Sequence, residues 1–529
     1  MPLPPNNTAW PPVQLAAISP SLATWSAWYT GDPDALHKAY SSDASAARER
    51  PSQRANGVVG RLSRWFWGQP TNDPSQPKQR LHVPIAADLC QTSADLLFAD
   101  PPTFTHPNTA AQERLEAYAD DGLLTSLAEA SEVAAAMTGV YLRVTWDKDA
   151  RPDGPFLTRV DADAAEPTFR WGQLVGVTFW RVVAENDSTV WRHLERHELE
   201  SGVGVIRHGL YEGTPTNLGR MVPLTEQAAT AHLADLVDVE STISTDSPGL
   251  AVVYVPNQRP QRKWRSHPVG AHLGRSDLDG VESFMDALDE TYTSWMRDIR
   301  LAKSRVFIAR YLIENNGPGQ GGMWDADREV YTALDAIPNH DAAELPIKPQ
   351  QFAIRVDEHR DTANELVEVI LRSAGYSTQT FGEGVEGGAP TATEIRARER
   401  RSYLTRDRKI RLVKPELRRI LAKLLAVDAA IFHHGNVPTE PVGVEFPDGV
   451  QEDPQTAANT AELLRRADAA STETLVALVH PDWDDTQIGA EAAKIHAERA
   501  VPDPAGFRPG VDDTPPADVE EVEGAGVAG

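Results

Sequence analysis

The chain has 529 residues, 41% of them hydrophobic, with a net charge of −26 and a single cysteine, Cys90. That apolar fraction suffices for real cores and excludes a disordered chain; one cysteine excludes an intrachain disulfide and fits folding in a reducing compartment. So acidic a molecule repels DNA at long range rather than gathering it.

The length predicts roughly three or four domain-sized pieces. The opening MPLPPNNTAWPP has neither a basic nor an apolar segment, so no signal peptide is expected. No apolar run reaches the roughly 18 residues of a membrane span. Residues 1–79 read as irregular, with short helices over Ser21–Tyr29 and Pro33–Ala47. The cluster Trp65, Phe66, Trp67 suits either an anchor on another surface or ordinary core packing.

Leu89, Ser93, Leu96 and Leu97 fall at helical spacing, and Pro101-Pro102 ends that helix. Asn108 or Thr109 caps the next, which carries Leu115 and Tyr118. A third runs from Gly122 to Met137, with Thr138-Gly139 as a left-handed stop. The period then changes to two. Val140–Trp146, Gly176–Val183, Val190–Glu198, Val203–Tyr211 and Val252–Pro256 read as strands of an antiparallel sheet.

Val281, Phe284, Met285, Leu288, Tyr292, Trp295, Met296 and Ile299 form one apolar stripe over five turns, capped by Asp277 or Asp279. Between Ser304 and Val356 the pattern breaks into strands and glycine-rich turns, a small inserted module. Helix resumes at Asp361 with Ala363, Leu366, Val367, Ile370, Leu371 and Ala374 on one face. The two helices flanking the insert are expected to pack antiparallel.

Next comes a glycine-rich loop, GYSTQTFGEGVEGGAPTATE, and then a basic helical run. From Glu394 to Lys423 twelve Lys or Arg face four Asp or Glu, a local net of +8. Thr391 or Thr393 caps this helix, and Pro415 is expected to kink or break it. Beyond Pro415, Leu417, Ile420, Leu421, Leu424 and Leu425 make a second stripe. After a strand-like piece, Val442–Phe446, two or three short helices turn at Ser471 and at His480-Pro481-Asp482. From Glu440 to Gly529 there are 20 acidic and 5 basic side chains, and the tail from Val501 reads as disordered.

Catalytic signatures fail. There is no P-loop, no G-x-S-x-G elbow and no H-E-x-x-H. Asp147, Asp149 and Asp153 hint at a calcium loop, but Pro152 stands where Gly is needed and Thr158 where Glu is needed, so an acidic turn is expected. His433-His434 has no third ligand near in sequence. Asp482, Asp484 and Asp485 suit capping, and Cys90 suits a core. The glycine pieces follow no buried strand of a βαβ unit, so they are not phosphate cradles.

Four stretches in order carry a resemblance: HVPIAADLCQTSADLLFADPP with TGVYLRVTWD; VPNQRP with LGRSDLDGVESFMDALDETY; GYSTQTFGEGVEGGAPTATEIRARERRSYLTRDRK; and LVHPDWDDTQIGAEAAKIHAE. Together they span most of residues 80–500. The chain resembles the portal proteins of tailed bacteriophages, in the form carried by long-tailed phages (siphophages) of Actinobacteria.

The resemblance implies an α+β portal fold and a ring, a homo-dodecamer, at one capsid vertex. It implies an α/β wing at 1–272 with an irregular arm at 1–79, stem helices at 273–303 and 357–374, and a small α/β clip at 304–356. A tunnel loop follows at 375–393, a long kinked helix with wing return at 394–439, a helical crown at 440–500 and a disordered tail at 501–529. The implied function is a channel for double-stranded DNA in packaging and ejection, with no catalysis, no cofactor, no metal and no membrane. The implied partners are large terminase, a head–tail connector or adaptor protein, and the major capsid and scaffolding proteins. The location is the virion, after assembly in the host cytoplasm.

The loop residues Thr380, Phe381, Gly382, Glu383, Gly384, Val385, Glu386, Gly387 and Gly388 are then expected to face DNA. Asn315, Asn316, Gly317, Gln320, Met323 and Trp324 are expected to meet the motor or connector. Arg396, Arg400, Arg401 and Arg408 are expected at a subunit interface, because a channel lined with cations would hold phosphate and stall the strand. Two other classes remain open: another structural head protein, such as a minor capsid or adaptor protein, and a DNA-processing enzyme gripping DNA with the basic helix.

Overall fold

A computed structural model describes residues 3–42, 81–301, 305–309, 331–334, 347–350, 354–382, 392–432, 440–447, 454–480, 483 and 485–499. The chain divides into two units, Met1–Gly449 and Val450–Gly529.

The first unit is built on the three-stranded antiparallel sheet β10-β2-β3, made of Val252–Pro256, Gly139–Thr145 and Phe156–Asp161. Its central strand explains its layers. Successive side chains of a strand point to opposite faces. Tyr141 therefore enters one core cluster while Val140, Leu142 and Val144 enter another. In β10, Val252 and Tyr254 join the first cluster; Val253 and Val255 join the second.

The first cluster is filled by α1 (Ser19–Thr30), α3 (Ile85–Phe98) and the bases of two later helices. Helix α2 (Pro33–Ser42) follows α1. The N-terminal arm is thus more than an irregular extension: Ile18, Leu22, Trp25 and Trp28 are buried there. Trp25 Nε1 donates to Glu282 at 2.8 Å. Cys90 is buried in the same cluster.

Helix α4 (Thr109–Tyr118) is capped by Asn108, whose side chain accepts from Ala111 N–H at 3.1 Å. A turn at Gly122, φ +87°, leads to α5 (Leu124–Ala136). The expected left-handed stop at Gly139 is absent. The helix ends at Met137, and Gly139 (φ +151°) opens β2, where a Cβ would stand 2.4 Å from the Val255 carbonyl. Close strand approach, not helix termination, calls for this glycine.

A larger sheet follows: β4 (Ala165–Arg170), β5 (Gln173–Glu185), β6 (Val190–Glu200), β7 (Val203–Thr214) and β8 (Asn217–Val222) in sequence order. After the short helix α6 (Ala228–Ala231), β9 (Thr242–Pro248) also pairs with β7. Three strands expected from the alternation, β5 to β7, are present and longer than expected. Strands β3, β4, β8 and β9 carry weaker alternation and were not foreseen.

Helix α7 (Glu282–Leu301) and helix α8 (Val356–Ala374) pack side by side. Asp298, near the end of α7, meets Arg355 and His359, at the start of α8, so the pair is antiparallel as expected. Between them in sequence lies a small sheet, β11 (Arg305–Ala309), β12 (Tyr331–Leu334) and β13 (Ile347–Gln350). In it β11 is central, parallel to β12 and antiparallel to β13.

Helix α9 (Ala392–Val427) continues through Pro415 without a break. Proline removes one helical hydrogen bond, usually at a cost of ~3 kcal/mol. Here Pro415 is exposed, while Val413, Leu417, Ile420 and Leu421 are buried on either side of it. Burial of that stripe outweighs the lost bond. Since α9 begins at Ala392, Thr393 lies inside its first turn; Thr391 is outside the described residues. Finally β14 (Gly443–Glu445) pairs with β1 (Thr103–Thr105). The second unit contains three helices, α10 (Pro454–Arg466), α11 (Thr472–Val479) and α12 (Asp485–Arg499). Ser471 caps α11 by accepting from Thr474 N–H.

Candidate functional site

The point where α7, α8, α9 and the following loop converge is polar and buried. Asp277, read from sequence as a possible cap of α7, caps nothing of the kind. Its side chain is fully buried. One oxygen accepts from Asn257 Nδ2 at 2.8 Å and Gln258 Nε2 at 2.5 Å. The other accepts from Tyr376 Oη at 2.8 Å and Lys409 Nζ at 2.6 Å. Lys409 also donates to Ser93 Oγ at 2.5 Å. The Asp277–Lys409 pair thus joins α3, the loop after β10, the end of α8 and the middle of α9. Burial, and then the Asp277 charge, push the Tyr376 hydroxyl well above its ordinary pKa. Tyr376 therefore stays a donor, as a carboxylate needs.

The loop leaves α8 at Gly375. Its φ of +104° is the left-handed region that favours glycine, and a Cβ would stand 2.9 Å from Thr405 Oγ1. The Gly375 and Tyr376 N–H groups both donate to Leu371 C=O. Thr405 Oγ1 donates to Gly375 C=O at 2.7 Å, and Ser377 N–H donates to Ser402 Oγ at 2.9 Å. Ser402 and Thr405 are buried and three residues apart, so they lie on one face of α9.

Of the residues expected to face DNA, Thr380 hydrogen-bonds Ser402 Oγ at 2.7 Å, and Phe381 packs edge-on to Tyr376 at 6.3 Å. These two residues hold the base of the loop. Gly382 follows at φ +76°. Glu383, Gly384, Val385, Glu386, Gly387 and Gly388 lie outside the described residues, as do Asn315, Asn316, Gly317, Gln320, Met323 and Trp324. So do Trp65, Phe66, Trp67, His433, His434, Asp482 and Asp484.

The cations of α9 separate into two groups. Arg406, Lys409 and Lys423 are buried inside the subunit. Arg406 donates to the carbonyls of Leu96 and Pro447, both at 2.6 Å. Among the described residues Lys423 Nζ meets only neutral acceptors, Thr245 Oγ1, Ser247 Oγ and C=O, and Pro248 C=O, and burial lowers its pKa to about 8. Lys414 reaches Glu445 at 2.6 Å. Arg400, Arg401 and Arg408 are exposed, Arg401 donating to the Arg372 carbonyl. The side chain of Arg396 is outside the described residues.

A second polar cluster lies on the larger sheet. His193 Nε2 and His208 Nδ1 are 3.1 Å apart and buried. Burial is the main cause lowering their pKa values, to about 3 and about 4. Glu195 sits beside them: burial would raise its carboxyl, but Arg143 and His197 hold it well below the usual range. At Asp147 the carboxylate accepts from the N–H groups of Asp149 and Ala150, the expected acidic turn. Among the described residues no three His, Cys, Asp or Glu side chains group to hold a metal, and no helix is long and apolar enough to cross a membrane.

An antiparallel helix pair, a small sheet that lies between its two helices in sequence, a loop pinned at its base and a long helix sealing the central sheet define a mixed α+β protein. Residues 15–503 match the family model described as phage portal protein, SPP1 Gp6-like, and the chain belongs to that family. No curated protein matches it.

Proposed function

We propose that this chain is the portal subunit of a long-tailed phage of an actinobacterial host, assembled in the host cytoplasm into a dodecameric ring at one capsid vertex. Double-stranded DNA passes through the ring in packaging and ejection. In this reading residues 1–272 are the wing, 273–303 and 357–374 the stem, and 304–356 the clip. Residues 375–393 are the tunnel loop, 394–439 the long helix and wing return, and 440–500 the crown. The clip meets large terminase and then the connector, and the outer surface meets capsid and scaffolding proteins. The role is structural rather than catalytic.

The observation that carries the reading is the pinned loop. Ser402, Thr405 and the Asp277–Lys409 pair fix both the end of α8 and the start of the loop on α9. Beyond Gly382 the sequence Glu383–Gly388 has no cation and two carboxylates, so it has nothing with which to grip phosphate. Negative-stain imaging of the purified chain tests this. Rings with a central hole of duplex width are expected; a monomer that cleaves DNA or hydrolyses nucleotide would overturn it.

A further inference from the structure

Strands β4 and β5 are joined by the two-residue turn Trp171-Gly172, with φ +51° and +76° and Arg170 paired to Gln173 across it. A mirror-image turn of this kind suits Asn-Gly; a bulky residue at positive φ is strained. Yet the first position is a tryptophan, and it is 95% exposed. The next hairpin tip on the same end of the sheet, Ser201-Gly202, repeats the positive φ values, and Leu199 beside it is 44% exposed. Between this sheet end and α9 runs a groove of about 730 Å³. Leu174 and Leu250 form one wall and Leu412 and Pro415 the other. Arg259, Arg411 and Arg419 line it against one carboxylate, Glu416.

We infer that Trp171 and this groove form a subunit contact, and that the occupant is a second copy of this chain. Charge complementarity points to that occupant: the groove is basic while the chain as a whole carries −26. Exposed Glu113, Glu116, Asp120 and Asp121 on and after α4 form one acidic surface. A head-to-tail ring joins two different patches of the subunit, so a basic groove on one copy can meet an acidic face on the next without self-repulsion. A strained, exposed tryptophan beside the groove supplies the large apolar contact on which interfaces depend. The inference rests on the ring reading above.

The test uses the full-length chain in mass photometry over a dilution series. Trp171→Ala and the pair Arg411→Glu/Arg419→Glu are expected to dissociate the ring at a concentration at least tenfold higher than the unmodified chain. Benzoylphenylalanine at position 171 is expected to cross-link one copy to the next on illumination. Rings that dissociate at the unmodified concentration in both variants, with no cross-link between copies, would overturn the inference and leave the ring reading standing. An unmodified chain that stays monomeric throughout would overturn both.

Discussion

Asp277 and Lys409 stand 132 residues apart in the chain and 2.6 Å apart in the fold. Both are buried, so each charge depends on the other. Removing one partner leaves an uncompensated buried charge, at a cost of about 3–5 kcal/mol. Lys409→Met and Asp277→Leu should each lower stability by that amount in chemical denaturation, and the double variant should lose less than the sum of the two. Additive losses would show that the pair does not act as a unit.

The loop base makes a second prediction. Gly375→Ala places a Cβ at positive φ and against Thr405 Oγ1. The expected loss is about 1–2 kcal/mol, read from thermal unfolding. Ser402→Ala removes the acceptor of Ser377 N–H and should cost about 1 kcal/mol. An unchanged melting temperature in both would mean that the loop is not held at this point.

Stability should fall as acid is added, and the imidazole pair fixes the window. In the unfolded chain these histidines titrate near pH 6.5; folded, they stay neutral down to about 4 and about 3. Between those limits the unfolded state binds more protons, so stability rises with pH there, by up to about 1.4 kcal/mol per pH unit for each imidazole. Glu195, held low when folded, contributes stability that is lost only below its unfolded value, so it adds to the same trend at lower pH. The double variant His193→Leu/His208→Leu should flatten the pH dependence of denaturation midpoints between 6.5 and 4.

Pro415→Ala should stabilise the chain by about 1–3 kcal/mol, because alanine restores the missing helical bond at an exposed site. Loss of stability would imply that proline is required there, and urea denaturation separates the two results.

Long-period signals were legible in the sequence. The stripes of α7 and α9 and the alternation of β5 to β7 stand where periodicity put them, Asn108 is the cap of the two residues offered, and the break expected at Ser471 is there, as a helix cap. The short strand β1 was not legible, because its register is set by β14, some 340 residues further on; β8 pairs with β7 across a tight turn, but its alternation is too weak to read. The polar junction escaped for a related reason. Asp277 precedes an apolar helix, where an acidic residue ordinarily caps, and Lys409 lies among eleven other cations. Only the fold shows that these two point inward, and that Pro415 falls on an exposed position where a helix absorbs it.

The pairing of β1 with β14 joins Thr103–Thr105 to Gly443–Glu445. Helix α9 seals the second core cluster from the same side of the sequence. A ribosome that has finished β2 must still add some 300 residues before this cluster can close. At roughly 5–20 residues per second, that delay is about 15–60 s. During it Leu115, Leu127 and Leu142 have no lid. The nascent chain therefore waits, partly open, for its own far end. A messenger truncated before codon 417 should yield an aggregating product rather than a smaller folded one.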